Sequence, residues 1–182
     1  MNGLKRAIGL LETLSLRVGQ AVSWLTLAMV LVTFAIVVLR YGFELNWIWL
    51  QESVVYLHAL VFMAGIAYTL RENGHVRVDI FYQRLSPRGK AWVELLGGLF
   101  LLLPVTVFLA WVSWDYVAAS WALKEGSREA GGLPFVYVMK AYIPLMCALL
   151  LLQGLAGIGR AVLVLAGEPV PLFAENIGEE EL

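Results

Sequence analysis

Four stretches of the chain are apolar almost without interruption, at about 20–39, 52–70, 91–114 and 135–165. Each has the roughly 20 residues that a helix needs to cross a hydrocarbon layer of about 30 Å at about 1.5 Å per residue. The pattern predicts an all-α membrane protein with four transmembrane helices forming one membrane domain over 1–182. Between the spans lie a short turn at 40–51, a polar loop at 71–90 and a second loop at 115–134, and an acidic tail follows at 168–182. Ahead of the first span, Leu4, Ile8, Leu11 and Leu14 recur at helical spacing while Lys5, Arg6, Glu12 and Arg17 take other faces. That is the pattern of a short amphipathic helix lying in the headgroup plane; the alternative is a frayed cytosolic extension of the first span. The first apolar run begins well after Met1 and lacks a small-residue cleavage site, so it is expected to remain as a signal anchor.

Local punctuation agrees with these spans. Asn73-Gly74 is a strong turn signal that stops the second helix near Leu70, and Ser86-Pro87 offers an N-cap followed by proline at the first helical position. Pro104 and Pro144 fall inside the third and fourth spans and are expected to kink them.

Composition narrows the function. The 182 residues are 60% hydrophobic and only 15% charged, with a mean hydropathy of +0.78, which excludes an ordinary soluble domain. Thirteen Lys and Arg against 14 Asp and Glu leave a net charge of −1, so nucleic acid is not an expected partner. The single cysteine, Cys147, excludes a disulfide framework and any cysteine-rich metal site. With His75 in a loop, His58 has no second histidine with which to hold haem. No Gly-x-Ser-x-Gly, His-Glu-x-x-His or paired intramembrane aspartate is present, so neither an enzyme nor a cofactor is expected.

Charge position sets an expected orientation. Nine Lys and Arg (residues 5, 6, 17, 71, 77, 84, 88, 90 and 160) fall on one side of the four spans and four (residues 40, 124, 128 and 140) on the other. The positive-inside rule then puts both termini and the 71–90 loop in the cytoplasm and the 115–134 loop in the periplasm. Trp47, Trp49, Trp111, Trp114 and Trp121 would mark the outer interface.

Titratable groups in spans call for a reason, because hydrocarbon disfavours them. Glu52, Glu94, Lys140 and Arg160 lie near span ends, where snorkelling is the simplest reading. His58, six residues past Glu52, should sit about 9 Å deeper and is expected to hydrogen-bond across a helix interface. Within Arg71-Glu72-Asn73-Gly74-His75-Val76-Arg77-Val78-Asp79, a solvated loop facing anionic lipid is a simpler reading than an acid/base or metal cluster. Small residues at Ala64, Gly65, Ala67, Gly97, Gly98, Gly154, Gly157 and Ala161 are candidate close contacts, within the chain or with another subunit.

Glu52 opening the second span, Gly65 within it, and the 71–79 junction together resemble the small membrane (Q-type) subunit of TRAP, or tripartite ATP-independent periplasmic, transporters. The stretch from Ser120 to Pro134, continuing through Lys140, Pro144 and Leu151-Leu152-Gln153-Gly154, is similar to the branch labelled mannitol/chloroaromatic or 2-oxo-acid type. The resemblance covers roughly residues 49–163.

This resemblance implies a non-catalytic small permease subunit in the bacterial inner membrane. It would brace a large, elevator-type membrane subunit that takes up an organic acid by sodium symport from a periplasmic substrate-binding protein. Partners would be the large subunit, the binding protein and membrane lipids. Candidate assembly residues are Glu52, His58, Gly65, Arg71, His75, Arg77, Asp79 and Lys140, and candidate contacts to the binding protein are Glu125, Arg128 and Glu129. The rival expectation is an autonomous four-helix homodimeric exporter coupled to protons, which would need a deep carboxylate that the first span lacks.

Overall fold

The computed structural model describes residues 2–76 and 79–173, with the side chain of Asp79 left out. Expectations for Arg77, for the Asp79 side chain and for the acidic tail beyond residue 173 lie outside the described residues. The order is α1 (Asn2–Gly42), α2 (Ile48–Arg71), α3 (Asp79–Tyr82), α4 (Pro87–Gly97), a π-turn (Gly98–Leu102), α5 (Leu103–Leu123), α6 (Val136–Lys140) and α7 (Tyr142–Leu165). Among the described residues there is no strand, and four helical runs are long and apolar enough to cross a membrane: α1, α2, the Pro87–Leu123 run and the Val136–Leu165 run.

The headgroup-plane helix is not a separate element. α1 runs unbroken for 41 residues, about 60 Å. Its N-terminal apolar stripe has a protein partner: Ile8 packs with Ala156 and Leu163 of α7, with Leu11 against them. Gly159 permits the approach, since a Cβ there would lie 3.0 Å from Ile8 Cδ1. The segment continues the first span as one helix, and it is packed on α7 rather than frayed.

The second helix ends as its residues dictate. Asn73 takes a left-handed φ of 55°, and the Gly74 N–H donates to Thr69 O at 2.8 Å, closing the last turn of α2. Ser86 caps α4 by accepting from the Gly89 N–H at 3.2 Å, with Pro87 beginning the helix. Both intramembrane prolines sit where the ladder is broken. Before Pro104 the backbone widens into the π-turn, in which Leu103 N–H reaches back to Gly98 O. Before Pro144 the fourth run is interrupted at Ala141, between α6 and α7.

α7 is the centre of the molecule. It packs against α1, α2, α4 and α5, and α1 pairs along α2. The contacts are close where glycine allows: a Cβ on Gly98 would lie 2.8 Å from Ile158, one on Gly154 2.8 Å from Leu102, and one on Gly19 would collide with the Tyr68 ring. Of the most apolar window, 44% is buried in the fourth run and 0% in α1. The C-terminal half of α1 therefore presents Trp24, Leu31, Phe34 and Tyr41 to its surroundings.

Candidate interaction site

At the end of the bundle that carries the 115–134 loop, Glu52 is an anchor rather than a snorkelling charge. From the first turn of α2 it accepts the Leu133 N–H on Oε2 at 2.6 Å and the Ser127 hydroxyl on Oε1. Ser127 N–H in turn donates to Leu133 O at 2.9 Å, and Ser127 Oγ accepts from Glu129 N–H at 3.1 Å. Gly132 leaves room for this knot, because a Cβ there would meet Glu52 Oε1 at 2.8 Å.

The neighbouring ion pair is Lys140 with Glu125, supported by the Ser120 hydroxyl, which donates to Glu125 Oε2 at 2.7 Å. The Lys140 ammonium also stands 3.9 Å from the centre of the Tyr116 ring. Hydrogen bonds from Lys140 and then Ser120 hold the Glu125 carboxyl below its ordinary pKa, against a smaller opposing effect of desolvation. Lys124 lies over Trp121 and Tyr137, which themselves meet edge to face at 4.9 Å. Of the three residues expected to meet a binding protein, Glu125 is committed internally, whereas Arg128 and Glu129 are exposed.

At the opposite end, Arg160 grips Glu12 with two N–H groups, Nη2 to Oε2 at 2.6 Å and Nε to Oε1. Its Nη1 donates to Pro171 O at 2.9 Å, which folds the chain after α7 back over the helix ends. Lys5 pairs with Glu168 at 2.7 Å. Glu12 was expected on a face away from the apolar stripe; it is buried at 7% exposure, in line with Ile8, Ser15 and Gly19. The 8–12–15–19 spacing, ending in two small residues, was the available sequence signal. Arg71 pairs with the adjacent Glu72, and His75 is exposed.

His58 differs most from its expected place. Among the described residues it makes no hydrogen bond across a helix interface: it is exposed on the outward face of α2, beside Val55 and Phe62, with its ring 5.8 Å from that of Phe62. Phe62 and Gly65 continue the same face into a groove of about 650 Å³ against α1, which is also lined by Gly19, Ser23, Thr26 and Thr69. Among the described residues, Gly65 has only Val22 near its missing Cβ, at 3.9 Å. The structure thus brings together Glu52 with its loop, Glu125 with Lys140, and His58 with Phe62, but it does not gather these groups into one site. Two polar residues that sequence reasoning did not single out, Ser127 and the buried Gln153, matter because of what surrounds them.

Comparison with known proteins identifies the chain's relatives. The family model for the DctQ component of tripartite ATP-independent periplasmic transporters matches residues 29–163. A C4-dicarboxylate TRAP transporter small permease protein, DctQ, from Vibrio cholerae serotype O1 is 29% identical over 89 residues, 49% of this chain. The match spans 38% of that relative's length. No solved structure matches.

Proposed function

The chain belongs to the DctQ family of TRAP transporter components, and on that premise we propose that it is the small, non-catalytic permease subunit of a sodium-coupled uptake system for an organic acid. The family and the four apolar helices make it a multi-pass protein of the bacterial inner membrane and a transporter component, not an enzyme. In this reading it braces a large membrane subunit that moves substrate delivered by a periplasmic binding protein. Both termini and the 71–90 loop face the cytoplasm, and the 115–134 loop faces the periplasm.

The observation that carries the proposal is His58. An imidazole within a span and turned away from the chain's own helices is disfavoured against lipid tails. A neighbouring transmembrane subunit supplies the missing hydrogen-bond partner and covers the apolar face that runs from Val55 through Phe62 to Gly65. The internally paired ends suit a frame, since they hold the helices in place without help from the partner. Arg71, His75, Arg77 and Asp79 complete the contact on the cytoplasmic side, and Arg128 and Glu129 are offered to the binding protein.

The test is a mild-detergent pull-down of the tagged chain from its native host, with mass spectrometry of what remains bound. A stoichiometric protein with many transmembrane helices is expected. His58→Leu, and alanine at His75, Arg77 and Asp79 together, should lower its yield, and charge reversal at Arg128 and Glu129 should lower uptake while leaving assembly intact. A homodimer with no partner would overturn the reading in favour of the autonomous exporter.

A further inference from the structure

At the end of the bundle opposite the 115–134 loop, most charges are spent inside the chain. A cavity of about 310 Å³ beside Gln153 is lined by Glu12, Arg160 and Arg71, and each of these is ion-paired. Glu72 and Glu168 are taken up in the same way, by Arg71 and Lys5. Two arginines at the start of the third span point outward instead. Arg84 is exposed, and its guanidinium makes no hydrogen bond or ion pair among the described residues. Arg88 is exposed as well and reaches only Leu165 O, at a long 3.4 Å.

Large apolar side chains accompany them. Ile80 and Phe81, on the four-residue α3, are 67% and 75% exposed, and Leu85 and Trp92 are exposed beside the arginines. Such a cluster is a liability in water and marks a surface that something apolar covers. Its register says what. Arg88, Trp92 and Leu96 follow one another at four-residue spacing and are all exposed, so one stripe passes from guanidinium to indole to aliphatic chain within about 12 Å. That is the order of headgroup, interface and hydrocarbon. From Ile80 to Leu102 the sequence holds Arg84, Arg88 and Lys90 against one carboxylate, Glu94, which is half-buried. None of these residues belongs to the α2 face assigned above to a protein partner.

We propose that residues 80–92 form a membrane-surface element that gathers anionic phospholipid. Arg84 and Arg88 bind phosphate in the headgroup layer, where a guanidinium fork matches two oxygens. Ile80, Phe81, Leu85 and Trp92 enter the acyl boundary beneath it. A zwitterionic choline headgroup brings its own cation to the two arginines, whereas a glycerol headgroup leaves the phosphate charge uncompensated, so the anionic lipid is preferred. The inference rests on the chain's place in a membrane and not on the transport reading. The other source of negative charge is the run of four glutamates within residues 175–181, and the test separates the two.

The experiment reads lipid contact from one probe. Cys147, the chain's single cysteine, is buried, so a bimane thiol dye on Gln83→Cys marks the exposed turn beside Arg84. The full chain is reconstituted in phosphatidylcholine vesicles that carry, at equal mole fraction, brominated phosphatidylglycerol or brominated phosphatidylcholine. Quenching by the brominated phosphatidylglycerol should be about twofold or more the greater, and raised salt should shrink the difference. Arg84→Gln should reduce the preference and Arg84→Gln/Arg88→Gln should remove it. Ile80→Ser/Phe81→Ser should lower quenching by both lipids. Equal quenching by the two lipids, a preference that survives loss of both arginines, or undiminished quenching in the Ile80→Ser/Phe81→Ser variant would overturn the proposal. So would a preference that emerges only after Glu175, Glu179, Glu180 and Glu181 are changed to Gln, which would give the arginines to the chain's own acidic segment.

Discussion

Glu52 accepts two hydrogen bonds from a loop some 80 residues further along, and both are charge-assisted. Removing the carboxylate leaves the Leu133 N–H without its acceptor, at a cost of about 1–3 kcal/mol. Glu52→Ala should therefore speed hydrogen exchange at Leu133 and Ser127 about tenfold or more, and Glu52→Gln, which keeps one acceptor, should do less. The adjacent Glu125 gives a pH dependence of known sign. Its folded pKa is lowered, so the stability its ion pair contributes is complete above the ordinary carboxylate pKa. That contribution is lost only as pH falls through the lowered value. Trp121 fluorescence should report an acid transition below the usual carboxylate range, and Lys140→Met should move that transition up toward it. Glu52 and Lys140 were visible in the sequence as charges near span ends, and Glu125 as a charge in the 115–134 loop. Their partners were not, because spacing along a chain says nothing about which loop folds over which helix.

Element by element, the apolar pattern predicted the helices well, and the capping and turn signals at Ser86-Pro87 and Asn73-Gly74 act as their chemistry requires. Two features lay beyond it. Proline marks where a helix ladder must break but not how, and here one proline follows a π-turn and the other a gap at Ala141. The amphipathic start of α1 looked like a surface helix because an apolar stripe reads the same whether a headgroup layer or a second helix covers it. Glycine decides how closely those helices approach. Gly19→Val should destabilise the α1–α2 pair by about 1–3 kcal/mol through its collision with Tyr68, lowering the thermal midpoint. Gly9→Val, which enters open space on the same helix, should leave it within about 0.5 kcal/mol.

At the scale of the whole molecule, the bidentate Glu12–Arg160 pair ties the first helix to the last across 148 residues and holds the chain that follows α7. Breaking such a pair from one side strands a buried charge, at about 3–5 kcal/mol. Arg160→Gln should sharply lower the thermal midpoint and expose the segment after Leu165 to protease, and the double variant Glu12→Gln/Arg160→Gln should recover most of the loss. The remaining architecture is open: a central α7, with α1 and the third span presenting broad apolar faces outward. That shape suits a component of a larger membrane assembly, consistent with the family.

The sequence by itself determined that this chain crosses a membrane four times as helices, since only a run of about 20 apolar residues can satisfy its backbone inside hydrocarbon. It also located the turns and the prolines, and its motifs identified the family. The tertiary structure alone decided that Glu12 meets Arg160, that Glu52 holds the 127–133 loop, that a cavity opens beside Gln153, and that His58 looks outward. The reason is physical: lipid tails are as apolar as leucine side chains, so hydrophobicity gives a helix no preference for which face meets protein and which meets membrane. Close fit at glycines and the pairing of a few polar groups make that choice, and both are properties of the assembled helices.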